Sequence, residues 1–328
     1  MRLKRSILIV AICALAAFAV QRFLFYRPVN PVVLAPLPSM PTSETPSPPV
    51  RHEAPTKWLA AAADINEDFH SSSDYFDFVS KTAKKAFDGD GRAALYISKV
   101  LQTCMVVTKL YGQSNDPETA FNAEWAAQPH APSWLIESAR KDFHACHGFF
   151  NGDAFATLPD RPGGYNSSSY WVEQAYKDKD PIALALHAGS EIAKSAFIKS
   201  GGANTSAMES AQLDINEAAM SGDPAALFRV GSLISNGHGN DPIQGFAVSI
   251  AACDLGYDCS VNNGDNYGLF GACVASGTCP SGTTYSDVIT QSVGPGGHAE
   301  AYARAQQIEN ALSRGDANAL QPFVQLKR

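Results

Sequence analysis

Residues 223–256 read DPAALFRVGSLISNGHGNDPIQGFAVSIAACDLG, and this stretch decides the fold. Asp223 suits a helix N-cap, because its carboxylate accepts from an otherwise unpaired first-turn amide, and Pro224 suits the position after it. Gly231 falls on the inner face of the helix that follows. Glycine there costs about 1 kcal/mol against alanine, so a partner helix must approach its backbone closely. Gly237 and Gly239 permit positive φ and mark the turn between two helices. No phosphate loop is implied by this G-x-G, since helix rather than strand precedes it.

The same opening recurs outward along the chain. Asp90-Gly91-Arg92-Ala93-Ala94-Leu95, Asp180-Pro181-Ile182-Ala183-Leu184, Asp223-Pro224-Ala225-Ala226-Leu227 and Asp316-Ala317-Asn318-Ala319-Leu320 are each Asp-x-x-Ala followed by an apolar residue. Glycine precedes three of them, at Gly89, Gly222 and Gly315, as suits the end of a preceding helix. The small alanine keeps the helix start slim enough to pack on the previous pair. The openings lie 90, 43 and 93 residues apart, which fits a unit of roughly 45 residues, the length of a helix pair. Such units cannot close a core singly and must stack. Other helical stripes agree: Phe76, Val79, Ala83 and Ala86 share a face, and Ala299 to Leu312 is rich in helix formers.

Ala226, Val230, Gly231, Ile234, Gly237, Gly239 and Asp241, followed by Gln244, Gly245, Ala252, Cys253 and Gly256, resemble one Sel1-like repeat of the TPR-like superfamily. The loop before Asp241 is about two residues shorter than the family's, and Val248-Ser249 replaces its usual Trp-Tyr pair. Asn216 to Gly222 resembles the end of the preceding repeat. The resemblance implies an all-α fold of stacked helical hairpins, an α-solenoid, over residues 57–328, with the clearest repeat at 223–256.

Six cysteines follow the N-terminal region: Cys104, Cys146, Cys253, Cys259, Cys273 and Cys279. An even number in an exported chain reads as disulfides. Ala94, Ile97, Leu101, Cys104 and Thr108 form one helical stripe; Leu135, Ala139, Phe143, Cys146 and Phe150 form another. A Cys104–Cys146 bridge between those buried faces closes a loop of roughly 43 residues, worth about 4 kcal/mol in the chain-entropy model. The other four read C-x5-C-x13-C-x5-C across a Gly- and Asn-rich stretch, a spacing poor for zinc. Three pairings are open to them; local closure, Cys253 with Cys259 and Cys273 with Cys279, is favoured, stapling an irregular insertion at 257–284. His144-Ala145-Cys146-His147 looks metal-binding at first, but the bridge consumes its thiolate.

Export is read from the first 26 residues. Arg2, Lys4 and Arg5 precede an uncharged, mostly apolar run from Ser6 to Gln21. Ala17-Phe18-Ala19 fits a small-x-small cleavage rule, yet a mature chain starting at Val20 would expose Phe23, Leu24 and Phe25. An uncleaved signal anchor is therefore favoured over a cleaved signal peptide, and both place the remainder outside the cytosol, at the periplasmic face of an inner membrane or free in the periplasm. Residues 27–56 carry nine prolines and form a semi-rigid spacer.

The whole chain of 328 residues is 45% hydrophobic and 17% charged, which excludes a rod, a collagen or a wholly disordered polymer. With 25 Lys+Arg against 32 Asp+Glu it carries −7, so nucleic acid is not an expected partner, and membrane contact is expected through the N-terminal segment only. No G-x-S-x-G, HExxH, Walker or dinucleotide pattern occurs, and no cofactor is called for. Ser138-Ala139-Arg140-Lys141 matches S-x-x-K without the S-D-N and K-T-G elements that accompany it in penicillin-recognising enzymes. Trp171, Tyr170 and Tyr176 read as core. The expected function is a non-enzymatic envelope protein whose helical surface binds another envelope protein or a cell-wall component; the alternative is a hydrolase acting on peptidoglycan or a β-lactam, an idea that comes from the family resemblance.

Overall fold

The computed structural model describes residues 65–127, 133–150, 167–197, 205–236, 241–260 and 284–326. The N-terminal segment, the proline-rich spacer, Gly237, Gly239, Cys273, Cys279 and most of the insertion lie outside these residues. After a short helix over 65–71 come α1 (Tyr75–Phe87), α2 (Gly91–Tyr111), α3 (Pro117–Ala126) and α4 (Ser133–Ala145), which runs into a single 3-10 turn at His147–Phe149. Then follow α5 (Ser168–Lys177), α6 (Pro181–Phe197), α7 (Thr205–Met220), α8 (Pro224–Asn236), α9 (Pro242–Asp254), α10 (Tyr285–Ser313) and α11 (Ala317–Val324). Among the described residues the fold is all-α, and the isolated bridge between Ser260 and Thr284 joins the two ends of the insertion.

Each Asp-x-x-Ala opening starts a helix as its chemistry dictates. The Asp90 carboxylate accepts from the Ala93 amide, Asp180 from Ile182 and Ala183, Asp223 from Ala226, and Asp316 from Ala319. The residue before each cap is left-handed: Gly89 at φ 94°, Gly222 at 70°, Gly315 at 63° and, where glycine is missing, Lys179 at 61°. In three of these corners the Asp amide reaches back to the previous helix, Asp90 to the Lys85 carbonyl, Asp180 to Ala175 and Asp316 to Ala311. This is the hydrogen bond that closes a Schellman turn. One aspartate thus ends one helix with its backbone and begins the next with its side chain.

Packing follows sequence neighbours. The α8–α9 pair is the tightest crossing: a Cβ on Gly231 would lie 2.7 Å from the Gly245 carbonyl and 2.3 Å from Ser249 Oγ, and one on Gly245 would lie 2.3 Å from the Ser235 amide. The close approach expected at Gly231 is present. Around α1, α2 and α5 one apolar core gathers Phe78, Ile97, Val100, Leu101 and Trp171; around α6 to α11 another gathers Leu184, Ile215, Leu227, Ile234, Ile289, Ile308 and Leu320. The start of α6 is the seam, with Ala183 in the first core and Leu184 in the second. Each fully buried Leu or Ile contributes about 1.5–3 kcal/mol.

Cys104 of α2 is bonded to Cys146, directly after α4, and Cys253 to Cys259, with Cα separations of 5.2 and 5.7 Å. The first is the pairing the helical stripes favoured and the second is the local closure. Below the first bridge Tyr111, Phe121 and Phe143 form a small aromatic core that fastens α3 and α4 to the end of α2. The helix expected over Ala299–Leu312 is longer than its stripe predicts: α10 begins at Tyr285 and breaks at Gly294 (φ 74°), where Pro295 follows. By length and mean hydropathy (1.2) α2 is apolar enough to cross a membrane; its first half is core, and Met105, Val106 and Leu110 on its second half are exposed.

Candidate functional site

The outer face of α7 carries the candidate site. Ala207, Ala211, Ile215 and Ala218 form the buried stripe of this helix, and Asp214 is buried beside them. Leu213 falls off the stripe and is 70% exposed, more than any other exposed large hydrophobic side chain among the described residues. A depression of about 540 Å³ is lined by Tyr176, Lys179, Ser210, Leu213, Asp214, Asn216, Glu217 and Met220. A second, of about 220 Å³, shares Asn216 and Met220 with it and continues to Asn318, Gln321 and Val324 of α11. Together they make a groove between the α5–α6 corner and the C-terminal helix.

At its head sits a charged cluster drawn from three helices. His187 Nδ1 of α6 lies 2.6 Å from Asp214 Oδ2 of α7, and the Tyr176 hydroxyl of α5 donates to Asp214 Oδ1 at 3.5 Å. The Tyr176 and His187 rings stack at 4.1 Å. His187 Nε2 lies 3.7 Å from Glu191, which Lys194 also engages, and Lys179 Nζ donates to Glu217 at 3.0 Å. Burial, then the charge on Asp214, raises the Tyr176 phenol above its ordinary value. Lys179 is raised chiefly by its hydrogen bond to Glu217, and Glu191 is lowered chiefly by the one from Lys194. Asn216 accepts from Gln212 through its carbonyl. The side chains of Asn318 and Gln321 make no hydrogen bond among the described residues and are exposed.

A second charged cluster is sealed. Arg92 of α2 donates through Nε to Asp180 at 2.6 Å and through Nη2 to Asp223 at 2.5 Å, so it holds the N-caps of α6 and α8 together at the start of its own helix. The three side chains are 8%, 0% and 7% exposed. Burial works against the guanidinium's charge, and the two carboxylates outweigh it, raising Arg92 further. Burial pushes the Asp180 carboxyl up, and Arg92 pulls it back. The cluster is nearly closed to solvent and joins helix starts, so its work is structural.

The residues singled out in the sequence are distributed as follows. Ala226 is fully buried and caps on Asp223; Gly231 is the crossing point; Asp241 caps α9 through the Ile243 amide and accepts from Arg304 at 2.8 Å; Gly256 is left-handed at φ 106°. These are framework positions. Lys141 of the S-x-x-K match donates to the His70 carbonyl at 2.7 Å, and Cys146 beside His144 and His147 is in its disulfide. Trp171 is core, as read; Tyr170 and Tyr176 are partly buried and pack against the cores, and Tyr176 also lines the groove. His187, Leu213, Asp214, Asn216 and Glu217 were not foreseen; the one local sign was a leucine two residues off the alanine stripe of α7. Comparison with models of known protein families, with curated proteins and with solved structures finds no match for this chain.

Proposed function

We propose that this chain is a non-enzymatic envelope protein that binds a partner along the α7 groove, using a stack of Sel1-like helical pairs as its scaffold. The supporting observation is Leu213, 70% exposed in a groove whose Asn318 and Gln321 amides are uncommitted. An exposed leucine beside amides that are free to bond a ligand is suited to recognition. The stacking reading is supported by the repeated Asp corner and by Arg92, which brings the N-termini of α2, α6 and α8 to one point. Export is supported by two cysteine pairs at bonding distance, since such bonds persist in oxidising compartments. The cationic, apolar N-terminal run would supply the tether.

A photo-crosslinking amino acid placed at position 213 of the full chain in living cells tests the binding reading, with position 81 as an exposed control on α1. A discrete adduct at 213 and none at 81 is expected; identical adducts at both would overturn it. The hydrolase alternative has one observation in its favour: Ser286 Oγ lies 2.9 Å from His298 Nε2 across the break in α10. Their contact is at the surface, and neither residue lines the groove. A fluorophosphonate probe that labelled Ser286, and failed to label a His298→Ala variant, would favour the enzyme.

A further inference from the structure

We propose that the groove along α7 takes an uncharged, extended polypeptide segment with a leucine-sized residue at its centre. The inference rests on the binding reading above and chooses, among envelope components, the class of ligand that this groove fits.

Charge comes first. The charged residues lining the two depressions are Lys179, Asp214 and Glu217, and each is already held within the fold. Lys179 pairs with Glu217 at 3.0 Å, and Asp214, only 5% exposed, is held by His187 and the Tyr176 hydroxyl. The far wall, lined by residues of α11 from Ala317 to Val324, carries no charge. A charged ligand group could only trade the exposed Lys179–Glu217 pair for another like it, and such pairs are worth little. Sugar is disfavoured on a separate ground. Tyr176 is the one aromatic among the lining residues, and with His187 stacked on it at 4.1 Å and Lys179 beside it, little of the ring is left for a pyranose to stack on.

Amides come second. Asn318 and Gln321 on the far wall are exposed and make no hydrogen bond among the described residues, so each offers a donor and an acceptor together. An extended backbone presents N–H and C=O in alternation and is matched by such groups whatever its side chains. Leu213 and Met220 are two helical turns apart on one face of α7, about 10 Å, which leaves room for a leucine-sized side chain to pack between them. From Ser210 to Met220 the helix runs about 15 Å, which spans roughly four or five extended residues. An acyl chain would cover the Asn318 and Gln321 amides without bonding them, at a desolvation cost a peptide avoids.

Fluorescence anisotropy on the purified full chain tests the proposal with a labelled octapeptide of alternating Ser and Leu. One counterpart has Ala for Leu, and another has alternate backbone amides N-methylated. Saturable binding at least tenfold tighter than either is expected, because the first loses the apolar contact and the second the backbone donors. Peptides with Lys or Glu in place of Ser should bind within threefold of the parent at about 0.15 M salt, where long-range attraction to a chain of net charge −7 is screened. Leu213→Ser should weaken binding fivefold or more, as should Asn318→Ala with Gln321→Ala, while Glu217→Gln should change it less than twofold and Lys81→Ala not at all. All these side chains are exposed, and unchanged thermal unfolding would show that the variants are folded. Undiminished binding to Leu213→Ser overturns the proposal. So does a Lys or Glu peptide that binds tenfold more tightly than the parent, or saturable binding of an N-acetylglucosamine tetramer with none of the Ser-Leu peptide. Position-specific crosslinks at 213 combined with failure of every peptide would remove this ligand and leave the binding reading standing.

Discussion

Two clusters in this molecule are each built on buried aspartate held by a nitrogen side chain from another helix, and they differ in how far that partner is enclosed. Around Arg92 every partner is inside: the guanidinium bridges Asp180 and Asp223, whose remaining oxygens accept first-turn amides. Around Asp214 the partners are His187, 29% exposed, and Tyr176, and both lie at the head of a groove. The difference lies in what surrounds the carboxylate. Asp180 and Asp223 are N-caps enclosed between helix starts, so their charge sets the register of three helices. Asp214 is mid-helix on α7 and no more exposed than Asp223; what reaches solvent there is its partner His187. Enclosed on all sides, the first cluster specifies the scaffold; the second has one partner, His187, that solvent reaches.

The sharpest way to break this contrast is Arg92→Ala. Removing one partner of a buried ion cluster leaves uncompensated charge and costs about 3–5 kcal/mol. Urea unfolding should show that loss, and the combination Arg92→Met, Asp180→Asn, Asp223→Asn should recover much of it. A loss under about 1 kcal/mol would mean the corners hold without their arginine. Gly231→Ala tests the neighbouring crossing, where the new methyl would meet backbone at 2.7 Å; overpacking of about 1–3 kcal/mol is expected. Asp214→Asn should cost less, about 1–2 kcal/mol, because it weakens hydrogen bonds to a half-exposed histidine rather than stranding a buried cation. Equal losses at Asp214 and Arg92 would erase the distinction.

What was legible in the sequence divides along the same line. The Asp corners were readable because cap and turn are local: Asp223-Pro224 after Gly222 names its own conformation. Lys179 shows the reach of that rule, adopting the glycine's conformation because the Asp180 amide and carboxylate impose it. Gly231 was readable because its cost demanded a close neighbour, and Cys104–Cys146 because two helical stripes pointed the thiols inward. The Arg92 cluster was not, since its partners lie 88 and 131 residues away. Nor was the groove, whose walls come from α5, α7 and α11. Tyr176 packs against both cores as its ring suggests, and only the fold adds the wall of the groove to that role.

A third acidic site, without any cation, completes the comparison and predicts the smallest effect. Glu309 of α10 has one carboxylate oxygen buried with no hydrogen-bond partner. Burial, and then the charge of Asp254 at the end of α9, pushes its carboxyl up to about 7 from 4.5; burial raises Asp254 as well. A carboxyl raised on folding holds its proton more tightly in the folded state, so between these two values the folded chain binds more protons than the unfolded one. Stability must then fall as pH rises from about 4.5 to 7 and level off above. Glu309 is partly solvated, so the contribution is screened to under about 1 kcal/mol. Urea midpoints across that window should decline in the wild type, and Glu309→Gln, which cannot ionise, should flatten the slope and raise the midpoint at pH 8. An unaltered slope in Glu309→Gln would assign the pH dependence to other carboxylates, Asp180 in the sealed cluster foremost, and so move it from the rim of the molecule to the place where three helices start.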